Sequence, residues 1–221
     1  MGMGGWENCI LQDVCEINPK RADISSYSDD TEVSFVPMSA VSELSGQIES
    51  LQTKPLVEVK KGYTNFSEGD VIFAKITPCM ENGKSAIVGV LANNTGFGST
   101  EFHVLRCSAK LSNRYLHYMV RNQKFRDEAQ AVMAGAVGQQ RVPKDFLEKY
   151  PLFLPPLPEQ QEIVRILDSL FEKEQQAREL CNVIDEIDLM KKAILARAFR
   201  GELSTNVSGE ESTLRLLGDS A

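Results

Sequence analysis

Lys75, Thr77, Met80, Glu81, Asn82 and Lys84 crowd the junction of two apolar runs, VIFAKI (71–76) and SAIVGVL (85–91). Asn-Gly flanked by apolar runs is a hairpin signal. The eight residues 77–84 are too many for a tight turn, so they form a projecting tip with Lys75 at one root and Lys84 at the other. Ammonium, hydroxyl and amide groups beside backbone N–H donors suit phosphates and base edges. Two further segments carry similar groups. Ser99, Thr100 and Glu101 close a polar, glycine-rich stretch (93–101), where Gly96, Gly98 and the hydroxyls offer a phosphate cradle. No GK[ST] follows and no helix opens there, which argues against a nucleotide P-loop. Gln139, Gln140 and Arg141 ride on a hinge between Gly135 and Pro143. Gln binds adenine and Arg binds guanine bidentately. Taken alone, each segment also reads as a solvated hairpin or a flexible turn with no partner.

These groups bind; nothing in the sequence arranges them to react. His103 and His117 stand apart from any metal-ligand spacing and read as structural. No GxSxG, HExxH, Walker or GxGxxG pattern occurs. The five cysteines form no CxxC, and they read as reduced thiols of a cytoplasmic protein. No run approaches the roughly 20 apolar residues of a membrane span. The net charge of −7 argues against nucleic acid until its distribution is considered. Residues 60–149 hold thirteen Lys/Arg against eight Asp/Glu, a net of +5 between acidic flanks of −7 and −5. Local charge, not pI, governs binding to DNA.

The elements that must position these segments alternate along the chain. WENCILQDVCEINPK (6–20) suggests a short strand or helical turn ending at Asn18-Pro19, and a polar loop follows. VSFVPMSAV (33–41) reads as a strand with Pro37 near its end, at a sheet edge. PLVEV (55–59) reads as another short strand, and Lys60 to Phe66 as a polar connection. Strands at 71–76, 85–91 and 102–106 follow. Ser112 or Asn113 caps a helix running to about Met133. A short turn from Lys144 to Lys149 leads to a last strand in YPLFLPPLP (150–158), whose prolines make an elbow. The fold class is α+β.

From Pro158 to Phe199 the chain holds no Gly, and its only Pro stands at the front. Steps of three and four link Ile163, Ile166, Leu170, Lys173, Ala177, Leu180, Ile184, Ile187, Lys191, Ile194 and Ala198, the period of a coiled-coil seam. Glu159 and Glu162 begin this helix, basic residues end it, and Gly201 supplies its C-cap. A helix of that span is roughly 60 Å long and needs a partner helix along it. Residues 204–221 read as a polar, mobile tail.

In this order, WENCILQDVCEINPK, GDVIFAKITPCMENGK, GFGSTEFHVL, GQQRV, PLFLPPLPEQQEIVRIL and KKAILARAFRGEL resemble the specificity (S) subunits of Type I restriction–modification systems, from Trp6 to about Ser204. The resemblance implies a target recognition domain over residues 1–157, a spacer and dimerisation helix over 158–201, and a flexible tail over 202–221. It implies a reader of double-stranded DNA that is not itself an enzyme and holds no metal or cofactor. In that family the methylation subunit carries S-adenosylmethionine and the restriction subunit cuts. It also raises the three polar segments to candidate DNA contacts as a group. The usual subunit has two recognition domains and two long helices; this chain shows one of each. Two copies pairing their helices antiparallel through the seam restore the arrangement, with Lys173 and Lys191 setting its register. Two alternatives stand beside this one: a fragment of a full-length specificity subunit, and a coiled-coil oligomer of an unrelated enzyme or inhibitor.

Overall fold

The computed structural model describes residues 5–136 and 138–203, and the tail expected at 204–221 lies outside them. The chain divides into two compact units, residues 1–166 and 167–221.

In the first unit, β1 (Glu7–Ile10), α1 (Leu11–Val14) and β2 (Cys15–Ile17) open the chain. Next come β3 (Glu32–Val36), β4 (Gln52–Pro55), α2 (Leu56–Val59) and β5 (Thr64–Phe66). The hairpin strands are β6 (Val71–Ala74) and β7 (Ser85–Ile87), followed by β8 (Gly96–Gly98) and β9 (Phe102–Cys107). Helices α3 (Asn113–Arg121), α4 (Gln123–Ala131) and α5 (Lys144–Glu148) precede β10 (Pro151–Leu154) and α6 (Leu157–Phe199). The class is α+β, ending in the long helix.

Three sheets form. An antiparallel sheet runs β2-β9-β6-β7, a mixed sheet runs β4-β3-β8-β5 with β3 and β8 parallel, and β1 pairs with β10. Both faces of β6 are buried. Val71 and Phe73 join a core with Leu105, Leu116, Phe125 and Leu147, while Ile72 and Ala74 join a second with Phe66, Phe102 and Val104. That double burial is why VIFA reads as an unbroken apolar run. Val33, Phe35, Leu56, Val59 and Phe97 form a third cluster.

Five local expectations change. PLVEV is not a strand: Leu56 and Val59 are buried three residues apart while Val57 is 49% exposed, which is helical spacing started by Pro55. β3 is interior, paired on both sides, and Pro37 stands past its end. The connection after Lys60 contains β5, and the glycine-rich stretch contains β8, a buried strand. A Cβ on Gly96 would lie 2.3 Å from the Phe66 ring, and one on Gly98 2.6 Å from the Val36 carbonyl oxygen. These glycines serve close packing, not a phosphate cradle. The helix expected to Met133 breaks at Asn122, whose extended backbone ends α3 and whose Oδ1 accepts from Lys124 N at 2.9 Å to cap α4.

The start of α6 is fastened within the first unit. Gln160 is fully buried; its Oε1 accepts from Ser112 N at 2.8 Å, and its Nε2 donates to the Lys110 and Pro155 carbonyls at 2.9 Å each. Trp6 Nε1 donates to Glu159 Oε2 at 2.9 Å, and its ring lies 5.1 Å from that of Phe153. Gln160→Ala strands one N–H and two carbonyls, so it is expected to lower unfolding stability by about 2 kcal/mol, read by urea titration. An unchanged midpoint would show that water replaces all three bonds.

In the second unit the described part of α6 exposes Leu170, Leu180, Ile184, Ile187 and Ile194 along the expected seam. Gly201 adopts φ +70° and caps the helix end. Among the described residues, no helix is long and apolar enough to cross a membrane.

Candidate nucleic-acid interface

Register fixes the hairpin: Val71 faces Ile87, Phe73 faces Ser85, and Ala74 N donates to Lys84 O at 2.9 Å. Beyond the ladder the tip coils on itself, with Met80 N to Ile76 O, Gly83 N to Met80 O and Lys84 N to Cys79 O between 2.8 and 3.0 Å. Met80 corrects its assignment as a DNA contact. It is 0% exposed and belongs to the core under β6, where it anchors the tip.

Three segments far apart in sequence meet at the Lys75 root. Lys75 N donates to Glu101 O at 2.9 Å, Val142 N donates to Lys75 O at 2.8 Å, and Thr77 N donates to Gln140 O at 3.0 Å. Ile76 and Ala134 each bridge antiparallel to Arg141. Glu101 and Arg141 then grip each other bidentately, Nε to Oε2 at 2.8 Å and Nη2 to Oε1 at 2.7 Å. The Arg141 hydrogen bonds hold the Glu101 carboxyl below its usual range, and Glu101 draws the guanidinium upward in return. Arg141 is therefore an oriented fork, partly exposed, all three of whose guanidinium nitrogens donate within the protein; Nη1 donates to Gln139 O at 3.0 Å. Ser99 Oγ accepts from Glu101 N at 3.2 Å and shapes the turn, while Thr100 and Gln139 stay exposed and Gln140 half-buried.

The rest of the tip faces other neighbours. Thr77 Oγ1 donates to Glu81 Oε1 at 3.2 Å, and Arg126 Nη1 donates to the Glu81 carbonyl, so Glu81 pins the tip to α4. Asn82 Nδ2 donates to Glu43 Oε2 at 3.1 Å on the far side, where Arg121 also donates to the Gly83, Glu43 and Leu44 carbonyls. Lys84 is half-buried at that root.

Sequence reasoning missed a cleft of about 250 Å³ behind Lys75, walled by Asn18, Arg21, Tyr63, Thr64 and Asn65 and floored by Phe102. One signal existed. Lys20 and Arg21 are two of only three basic residues among the first 59, and they follow the Asn18-Pro19 breaker.

The histidines are structural. His103 Nε2 bonds the Val142 carbonyl at 2.9 Å and its Nδ1 meets Asn18; His117 Nε2 bonds the Ser85 carbonyl at 3.2 Å. Burial pushes each imidazole down to about 4. Among the described residues, no three His, Cys, Asp or Glu side chains gather as a metal would need.

A family model described as the Type I restriction modification DNA specificity domain matches residues 3–185. The chain is 43% identical over 161 residues to the Type I restriction enzyme EcoAI specificity subunit of Escherichia coli, covering 72% of this chain and 27% of that protein. It is 40% identical over 167 residues to the EcoEI specificity subunit of the same species, covering 75% and 28%. The chain thus spans under a third of the length of either relative. Among solved structures, the HsdS subunit from Thermoanaerobacter tengcongensis aligns with TM-score 0.70 at 24% identity, over 88% of this chain and 50% of that one. A structure describing complex assembly and conformational transition of the type I R-M system aligns with TM-score 0.72, also at 24% identity and over the same shares. These last two likenesses concern the fold.

Proposed function

Because the chain belongs to the Type I restriction modification DNA specificity family, we propose that it is a non-catalytic reader of double-stranded DNA that takes one half-site per chain. Residues 1–157 are the reading domain and residues 158–201 the spacer helix; two chains pair antiparallel through the seam. The pair positions a methylation subunit, which brings S-adenosylmethionine, and a restriction subunit. One observation supports the reading: the Lys75 root of the tip, the 99–101 turn and the 139–141 hinge, scattered in sequence, are hydrogen-bonded to one another. Lys75, Thr77, Thr100, Gln139, Gln140 and Arg141 supply the donors and acceptors; Glu81 bonds Thr77, Glu101 holds Arg141, and Ser99 shapes the turn that carries Glu101. The exposed apolar seam of α6 supports the pairing.

Selection from a randomised duplex pool is expected to enrich an inverted repeat with half-site centres ~34–36 Å apart. Affinity for it should fall linearly in log salt. In light scattering the intact chain is expected to be a dimer, and a Leu180→Glu/Ile187→Glu variant a monomer, its association weakened at least roughly a hundredfold by two buried charges. Absence of any sequence preference would overturn DNA reading. A monomeric intact chain would overturn the homodimer. It would favour a second reading, suggested by the share of its relatives that the chain spans: a portion of a longer subunit whose other helix is the partner.

A further inference from the structure

The cleft behind Lys75 is built differently from the rest of the surface. Nearly every polar group in its wall is committed elsewhere. Asn18 Oδ1 accepts from Val104 N at 3.0 Å. Asn65 Oδ1 accepts from Ala22 N and its Nδ2 donates to Gly96 O, both at 2.9 Å. Arg21 donates to the Lys60 carbonyl and, at 2.8 Å, to the Tyr63 carbonyl, with its guanidinium 5.6 Å from the Phe97 ring. Among the described lining residues, three side-chain groups make no hydrogen bond or ion pair: the Lys75 ammonium and the hydroxyls of Tyr63 and Thr64. All three donate. The nearby carboxylate, Glu101, is already gripped on both oxygens by Arg141. The committed Arg21 still adds its positive charge.

We propose that this cleft seats a phosphodiester of the DNA backbone, with Lys75, Tyr63 and Thr64 as its donors and Arg21 as a fixed charge behind them. The proposal rests on the DNA-reading function above and goes beyond it by assigning Lys75 to the phosphate rather than to a base. Three features support the class of ligand. A half-buried ammonium whose nearby carboxylate is already held by Arg141 is costly, and burial, only partly opposed by the Glu101 charge, holds Lys75 below its usual range. A tetrahedral oxyanion accepts several donors from different directions, which a single base edge does not. The Lys75 backbone is also bonded to Glu101 and Val142, so a strand anchored here continues over the 99–101 turn and the hinge. An anchored backbone would set the register in which the exposed Thr100 and Gln139 meet base edges.

The test is fluorescence anisotropy on the full chain, comparing wild type, Lys75→Met and Lys75→Arg on the selected duplex and on a scrambled one, from low to moderate salt. Lys75→Met is expected to weaken both duplexes by the same factor, roughly three- to tenfold, and to flatten the log–log salt slope by about 0.9. Lys75→Arg should keep the slope. Replacing one backbone phosphate with a methylphosphonate should weaken wild type at a single position and leave Lys75→Met indifferent there. Removing an unpaired half-buried ammonium should leave the urea midpoint of Lys75→Met at or above that of wild type, which separates lost contact from lost fold. A changed base preference with an unchanged salt slope would make Lys75 a base reader and overturn the proposal. Inorganic phosphate that shifts the Tyr63 and Thr64 resonances without competing with duplex would assign the cleft to a free anion, and would also overturn it. Wild type that binds no duplex at all would sink the DNA-reading function itself, an outcome distinct from the other two.

Discussion

Arg106→Met is expected to lower the unfolding free energy by about 3–5 kcal/mol, because it leaves a buried charge without its partner. Arg106 Nε donates to Asp70 Oδ1 at 2.8 Å, and Nη2 donates to Oδ2 at 2.7 Å and to Ser67 Oγ at 2.9 Å. The two partners are unequally exposed: Asp70 is 2% exposed, while the Arg106 side chain keeps 37% of its surface. Removing the arginine strands a carboxylate with only the Ser67 N–H, at 2.8 Å, still donating to it. Removing the aspartate leaves a cation that can turn toward water. Asp70→Asn is therefore expected to cost clearly less than Arg106→Met. Against a total stability of about 5–15 kcal/mol, the arginine variant loses a large share. Urea unfolding of both variants checks the order, and the reverse order would mean that the carboxylate, not the guanidinium, finds solvent. Either way the damage falls on the strand pair β6–β9, which carries the Lys75 root at its far end.

Acid is the second large lever. His103 is 4% exposed and His117 is half-buried, and burial holds both near 4 in the folded chain. An unfolded histidine titrates near 6.5. Above pH 6.5 both states are neutral, and the histidines do not shift the balance. As pH falls from 6.5 toward 4 the unfolded chain binds protons that the folded chain refuses, so stability is lost across that window. By pH 5 the cost is on the order of 2 kcal/mol for each histidine, about 4 kcal/mol together. Unfolding midpoints at pH 7, 6 and 5 measure it, and a His117→Gln variant should lose about half of the pH dependence. Equal midpoints at pH 7 and 5 would show that the folded imidazoles accept protons without opening the Val142 and Ser85 contacts.

What could be read in advance, and what could not, divides by distance. The long helix was legible because a seam is a local repeat of three and four. The hairpin was legible because Asn82-Gly83 sits between two apolar runs. PLVEV misled because Val and Leu fit both a strand and one helical turn; the choice came from the Phe35 and Phe97 cluster that Leu56 and Val59 must enter together. Gly96 and Gly98 misled because composition marks them as loop, while the Phe66 ring that demands their missing side chains is thirty residues upstream. Asn122 hid its break inside a run of helix formers. At the site, the segments were identified but their internal economy was not. Glu101 and Arg141 stand forty residues apart in the chain, and their mutual grip has no local signature. Asn82 and Glu81 looked equivalent to Lys75 by spacing, yet Asn82 bonds Glu43 and Glu81 bonds Thr77 within the tip.

The pairing of β1 with β10 has a consequence for how the protein is made. Glu7 faces Leu154 and Ile10 faces Pro151, and among the described residues neither strand has another partner. A ribosome that adds about 5–20 residues per second leaves β1 waiting roughly 7–30 s for the strand that completes it. Through that interval Trp6 lacks Phe153 and Glu159, and Cys9 and Ile10 lack the strand across from them. The sheets between can assemble as they emerge, but β1 is among the last elements to find its place. The waiting β1 strand is thus open to capture by a chaperone, or by the same edge of another nascent chain.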